Sequence, residues 1–360
     1  MRYYGVVYDV GVKYEDLADS GSTVEPFDPS LVRHDLNAIA NDLHANAVRI
    51  EGDSIERVVT AARLAHDAGL SVYFSPWKMG VGIDDMHTYL AEAAKAADEL
   101  RTEGVDIVFV LGCEYSIFSK GIYPGEKFSD RVAWLAEVLT EHGVPKTPEQ
   151  LPEAFDRASD KLNVVLRALA ETVRASFQGP LTYSALFTEK VDWSIFDITG
   201  PNYYRTDESD EEYRAGLEYY KAFGNPVVVP EVGCCTYEGA GVLGAGGHVA
   251  LHGVNEDGSG NFAGGVPPVR SEREQADTIG RELEIFADAD LYGAFVFLFS
   301  FPVYPTGEGT RDLDLVAYSL VKTYSKDDPR SASMPPWGPK ESFQRVADFY
   351  GNLSKNQLKE

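Results

Sequence analysis

Short runs of β-branched and aromatic residues alternate along this chain with stretches of helical spacing, and this alternation constrains the fold more than any other feature. Residues 3–11 read as a first strand ending near Asp9. Residues 29–46 then carry Leu31, Leu36, Ile39 and Leu43 at helical intervals, and 46–51 (NAVRIE) is strand-like again. Asp53 or Ser54 caps a helix striped by Ile55, Val58, Val59, Ala62 and Ala65, which stops at Ala68 and Gly69. The strand series continues at 70–76, 105–114, 181–187, 196–203, 226–231 and 292–300. Helices are expected at 84–103, 130–142, 157–177, 207–223, 271–289 and 341–353.

Strands that read as near-continuous apolar runs, such as PVVVPEVG at 226–233, belong to sheets covered on both faces. Eight of them with helices between predict an α/β chain folded as a single (β/α)₈ TIM barrel, one domain over 1–360. Loops inserted after strands four and seven are expected at 115–156 and 232–270. The second is glycine-dense from 234 to 269, too loose for a core element and too long for an ordinary connection, which suits an active-site loop. A doubly wound open sheet is the rival, but the turn after strand one reads DVGVKYED, with one glycine where a phosphate turn needs several.

Charge narrows the function. With 57 acids against 32 bases, a formal charge of -25 repels nucleic acid and anionic membranes, and a neutral ligand is the least affected partner. The excess also fits adaptation to high salt. No run approaches the eighteen or so apolar residues of a membrane span. The chain enters its first strand at once, and its three cysteines make no disulfide framework, so a cytoplasmic location is expected.

Two apolar strands close on a carboxylate, Glu114 on the fourth and Glu231 on the seventh. In a closed barrel both ends face the mouth, so the acids can meet across it. Paired acids suit glycosidic bond cleavage, where one protonates the leaving oxygen and the other attacks or stabilises the sugar cation. The plainer use of each is a helix cap or a salt bridge. Trp77, Tyr115, Tyr203 and Tyr204 lie at strand ends, where sugar C–H faces stack on aromatic rings; Trp77 and Tyr115 are the preferred platforms. Asp9 either binds sugar hydroxyls or pairs with Arg49.

PVVVPEVG at strand seven, the acid closing strand four, NAVRI at strand two and PNYY at strand six together resemble the retaining glycoside hydrolases of the large (β/α)₈ superfamily called clan A. The resemblance implies a carbohydrate or glycoside substrate, with Glu231 as nucleophile and Glu114 as acid/base. It implies that Arg49 holds Glu231 ionised and that Tyr203, or Tyr204 if the register slips by one, donates a phenolic hydrogen bond to it. Asn202 of PNYY joins the substrate-binding candidates. The chain departs from the family at Cys113, where an Asn usually bonds the sugar 2-hydroxyl, and a thiol is a poor donor and acceptor beside an amide. That departure keeps a second function open, a carbohydrate-binding or regulatory barrel that has lost catalysis. The segment RDLDLVAYSLVK is also similar to bacterial proteins called abortive infection proteins, a name that carries no activity.

His248 and His252 have i, i+4 spacing, but they lie in GAGGHVALHG, where glycine argues against a helix and no acid stands between them. No metal and no cofactor is expected. Asp312 and Asp314 either face the mouth or cap the following helix.

Overall fold

The computed structural model describes residues 1–14, 21–143, 145 and 148–357. Strands β1 (Tyr3–Asp9), β2 (Ala47–Gly52), β3 (Ser71–Pro76), β4 (Ile107–Cys113), β5 (Leu181–Ser184), β6 (Val228–Val232) and β9 (Gly293–Val296) form one parallel sheet in the order β5-β4-β3-β2-β1-β9-β6. The α/β barrel expected from the alternation is therefore present. β1, β2 and β4 are buried along their whole length, because helices cover one face and the barrel interior the other.

The gap between β5 and β6 is filled by residues 197–203, whose backbone bonds to both neighbours. Asp197 N donates to Leu181 O at 3.0 Å and Asn202 N to Ala185 O at 2.9 Å, while Thr199 N donates to Pro226 O and Tyr203 N to Glu231 O at 3.0 Å each. These contacts register as single parallel bridges, Ala185 with Pro201 and Thr199 with Val227, rather than as a continuous strand. Proline explains the difference from the expected sixth strand. Pro201 in this segment and Pro226 and Pro230 beside it have no N–H to give to a ladder.

The helices α1 (Pro29–Asn41), α2 (Ile55–Asp67), α3 (Ile83–Thr102), α6 (Glu153–Arg174), α7 (Asp210–Lys221), α8 (Glu272–Asp288) and α9 (Glu341–Gln357) connect or flank the strands. Their starts follow side-chain chemistry. Ser54 accepts from Arg57 N, and Ser209 and Glu212 make a reciprocal capping box at α7.

After β4 the chain forms the one-turn α4 (Tyr115–Phe118) and then α5 (Phe128–His142). After β6 it is built of 3₁₀ turns and an antiparallel hairpin, β7 (Leu251–Val254) with β8 (Gly260–Phe262), so the glycine-rich stretch holds more structure than its composition suggests. A second antiparallel pair, β10 (Val321–Thr323) with β11 (Trp337–Pro339), precedes α9. Asp312 and Asp314 do not cap the following helix with their side chains and are held in ion pairs instead. Arg270 binds Asp312 at 2.6 Å and Asp314 at 2.9 Å, and the fully buried Lys340 also reaches Asp314 at 2.9 Å.

Candidate active site

The C-terminal ends of the strands bring the expected carboxylates to one place. Glu231, on β6, is 6 % exposed and is met from three sides. Arg49 of β2 donates Nη1–H to its Oε1 at 2.6 Å, the Cys113 thiol approaches the same oxygen at 3.2 Å, and the Tyr204 hydroxyl donates to Oε2 at 3.2 Å. Arg49 is itself wholly buried and lies 3.4 Å from Glu51 Oε2. Burial opposes its charge, but Glu231, Cys113 and Glu51 outweigh that and raise its pKa.

Glu114 follows β4 directly in a left-handed conformation, φ 46° and ψ 49°. It stands at the cap position of α4, yet its side chain caps nothing. The amide of Ser116 is taken instead by Glu189 Oε1 at 2.9 Å, so the capping use of Glu114 is not made. Asn202 Nδ2 donates to Glu114 Oε1 at 2.8 Å, and Asn202 is oriented by Ser184, whose hydroxyl donates to Oδ1 at 2.7 Å. Burial pushes the Glu114 pKa well above the usual carboxylate range, Glu231 adds to the rise, and the Asn202 bond opposes it.

A chain of contacts joins the acids. It runs from Glu231 Oε1 to Cys113 Sγ at 3.2 Å, on to Asn202 Nδ2 at 3.8 Å, and to Glu114 Oε1 at 2.8 Å. Cys113 thus sits between them, 1 % exposed, and burial followed by Glu231 holds its pKa well above that of a free thiol.

Several expected residues fall elsewhere. Tyr203 turns its hydroxyl to Tyr213 O at 2.8 Å and stacks on the Tyr213 ring at 4.6 Å, so Tyr204 is the phenol on Glu231. Tyr115 is no stacking platform: it is 1 % exposed, with its hydroxyl tied to Leu111 O at 2.5 Å and its ring 5.5 Å from Tyr183. Trp77 is 3 % exposed and packs edge-on against Phe118 at 5.0 Å, which leaves little open ring for a sugar face. Asp9 does not pair with Arg49. It accepts from Gly11 N at 2.7 Å and orders the turn after β1, and burial raises its pKa to about 6. Among the described residues no group of His, Cys, Asp and Glu is placed to hold a metal ion.

Glu51 and Tyr14 belong to the mouth although neither stands out in sequence. Burial, then Glu231 and Asp9, drives the Glu51 pKa well above its ordinary value against the pull of Arg49. Tyr14 lies in the field of Glu51, Asp9, Tyr304 and Glu231. An acid closing an apolar strand marks Glu114 and Glu231, and the last residue of NAVRIE carries the same mark.

No protein-family model and no curated protein sequence matches the chain. Solved structures do. A GH113 β-1,4-mannanase superposes with a TM-score of 0.59 at 14% identity over 98% of this chain and 99% of its own. The GH113 β-mannanase of Alicyclobacillus acidocaldarius gives 0.55 at 15% over 97% of each. A β-glucuronidase from Ruminococcus gnavus gives 0.54 at 14%, over 97% of this chain and 49% of the enzyme. At such identities the likeness shows the fold alone, a (β/α)₈ barrel.

Proposed function

We propose that the protein is a retaining glycoside hydrolase. Glu231 attacks the anomeric carbon while Glu114 protonates the departing oxygen; Glu114 then takes a proton from the water that releases the sugar from Glu231. The observation that carries this reading is the unequal environment of the two acids. Glu231 has the Arg49 guanidinium and the Tyr204 phenol as donors suited to an anion, whereas burial and the Glu231 charge keep the proton on Glu114. Separate roles for two carboxylates in one mouth are what acid-assisted displacement requires. The fold neighbours act, by their names, on mannans and glucuronides, so a glycoside is the substrate class this reading assigns.

The test is turnover of a panel of nitrophenyl glycosides and mannooligosaccharides, with the product anomer followed by NMR. Glu231→Ala is expected to lower kcat by about 10³-fold or more, with partial rescue by azide. Retained turnover in that variant, or an inverted product from the unaltered enzyme, rejects the assignment. A carbohydrate-binding barrel without catalysis is the reading that remains if oligosaccharides bind and are not cleaved. The thiol at 3.2 Å from Glu231 is the feature that favours it.

A further inference from the structure

The ends of β1, β2 and β3 carry polar groups that the two-carboxylate chemistry does not use. Glu51 is 2 % exposed, and its Oε2 lies 3.4 Å from Arg49 Nη2, yet neither atom has a hydrogen-bond partner among the described residues. Trp77, just past β3, also has a buried indole N–H with no acceptor among the described residues. Its ring clusters with Val12 and Cys113, and the Cys113 thiol touches Glu231. Register puts the acids in one layer. Asp9 is paired with Glu51 across β1 and β2, and Glu51 with Ser75 across β2 and β3, so all three project to the same face. Ser75 Oγ, 3.4 Å from Arg49 Nε, fixes that face as the interior one. Native interiors rarely leave buried donors and acceptors unmade without a functional reason.

We propose that Glu51 and Trp77 form the wall of the site that binds the glycone, bonding the hydroxyls of an uncharged sugar, and that the site rejects uronic acids. This rests on the glycosidase reading. A sugar hydroxyl both donates and accepts, so it can satisfy an indole N–H and a carboxyl oxygen alike. Charge sets the preference. Asp9, Glu51, Glu114 and Glu231 surround the mouth, and Arg49, which acts on Glu51, is already bonded to Glu231 at 2.6 Å. A glycone carboxylate would bring a buried negative charge close to that of Glu231, in a site whose central cation is taken. Glu51 faces Arg49 on its own strand, Asp9 on β1, Glu231 on β6 and Tyr14 beyond β1. Burial and the neighbouring acids favour its protonated form, which donates as well as accepts.

The full chain is assayed on 4-nitrophenyl glycosides of mannose, glucose, galactose and glucuronic acid in both anomers. Binding of mannose, glucose and glucuronate is followed in parallel by ligand-observed NMR. Turnover is expected for neutral glycosides alone, with Trp77→Phe and Glu51→Ala raising KM about tenfold and changing kcat less. The KM of the unaltered enzyme is expected to rise with pH as Glu51 loses its proton, and Glu51→Gln, which keeps both hydrogen-bonding roles, should abolish that rise; it also serves if Glu51→Ala does not fold. Cleavage of the glucuronide with comparable kcat/KM overturns the inference and leaves the glycosidase reading standing. Equal KM and pH profiles in all three variants overturn it as well. Where no glycoside is cleaved, the binding data decide: a neutral sugar held more weakly by Trp77→Phe supports the wall, and glucuronate bound, or no sugar bound, refutes it.

Discussion

Glu114 and Glu231 differ in what touches them, and the difference follows from which strand each neighbour stands on. Glu231 receives Arg49 from β2 and Tyr204 from the segment before α7, whereas Glu114 receives Asn202. The Asn202 amide favours the ionised form of Glu114, so it lowers a pKa that burial has raised. As general acid, Glu114 works below that pKa, and activity is lost as pH rises through it. Asn202→Ala is therefore expected to move the basic limb of the kcat/KM profile to higher pH while lowering kcat; a limb that stays or moves down would take Glu114 out of the acid role. Both acids are legible in sequence because an apolar strand ending on a carboxylate has few packing explanations. Trp77 and Tyr115 mislead for the opposite reason. A ring at a strand end packs inward or outward according to tertiary neighbours, here Phe118 and Tyr183, that lie far along the chain.

At the scale of elements, helical periodicity places most helices closely. The expected 84–103 and 271–289 are observed as Ile83–Thr102 and Glu272–Asp288. What periodicity does not carry is hydrogen-bond supply. Residues 196–203 have a strand's composition, but prolines on both sides of the pairing leave only bridges. The β10 and β11 pair escapes notice because three-residue strands have no period to read. Closure of the barrel depends on close approach instead. A Cβ on Gly200 would lie 2.2 Å from Tyr183 O, a backbone atom that cannot swing away. Gly200→Ala should cost roughly 1–3 kcal/mol of stability, read as a lower urea midpoint. Because Asn202 lies in the segment and Tyr204 directly follows it, activity should fall with it. An unchanged midpoint would mean that the closure has slack.

At the scale of the whole molecule, the acidic excess of 57 against 32 continues into the interior. Burial raises Asp9 and Asp35 to about 6 and Glu189 to about 7. Each binds its proton more tightly folded than unfolded, so the stability it contributes is complete below its unfolded pKa and is lost as pH rises through the folded one. Exposed carboxylates held low by partners, such as Asp28 and Asp98, act in the opposite sense at lower pH and through weak surface contacts. The urea midpoint is therefore expected to fall between about pH 5.5 and pH 8, and a flat or rising profile would contradict the burial of these acids. The unequal closure of the barrel has a consequence of its own. Residues 197–203 lack the donors for a full ladder, yet they carry the amide that attends Glu114, and the next residue, Tyr204, carries the phenol that attends Glu231. A sugar held between Asn202 and Tyr204 would act as a clasp on that ring, so that substrate completes the barrel as the barrel completes the site.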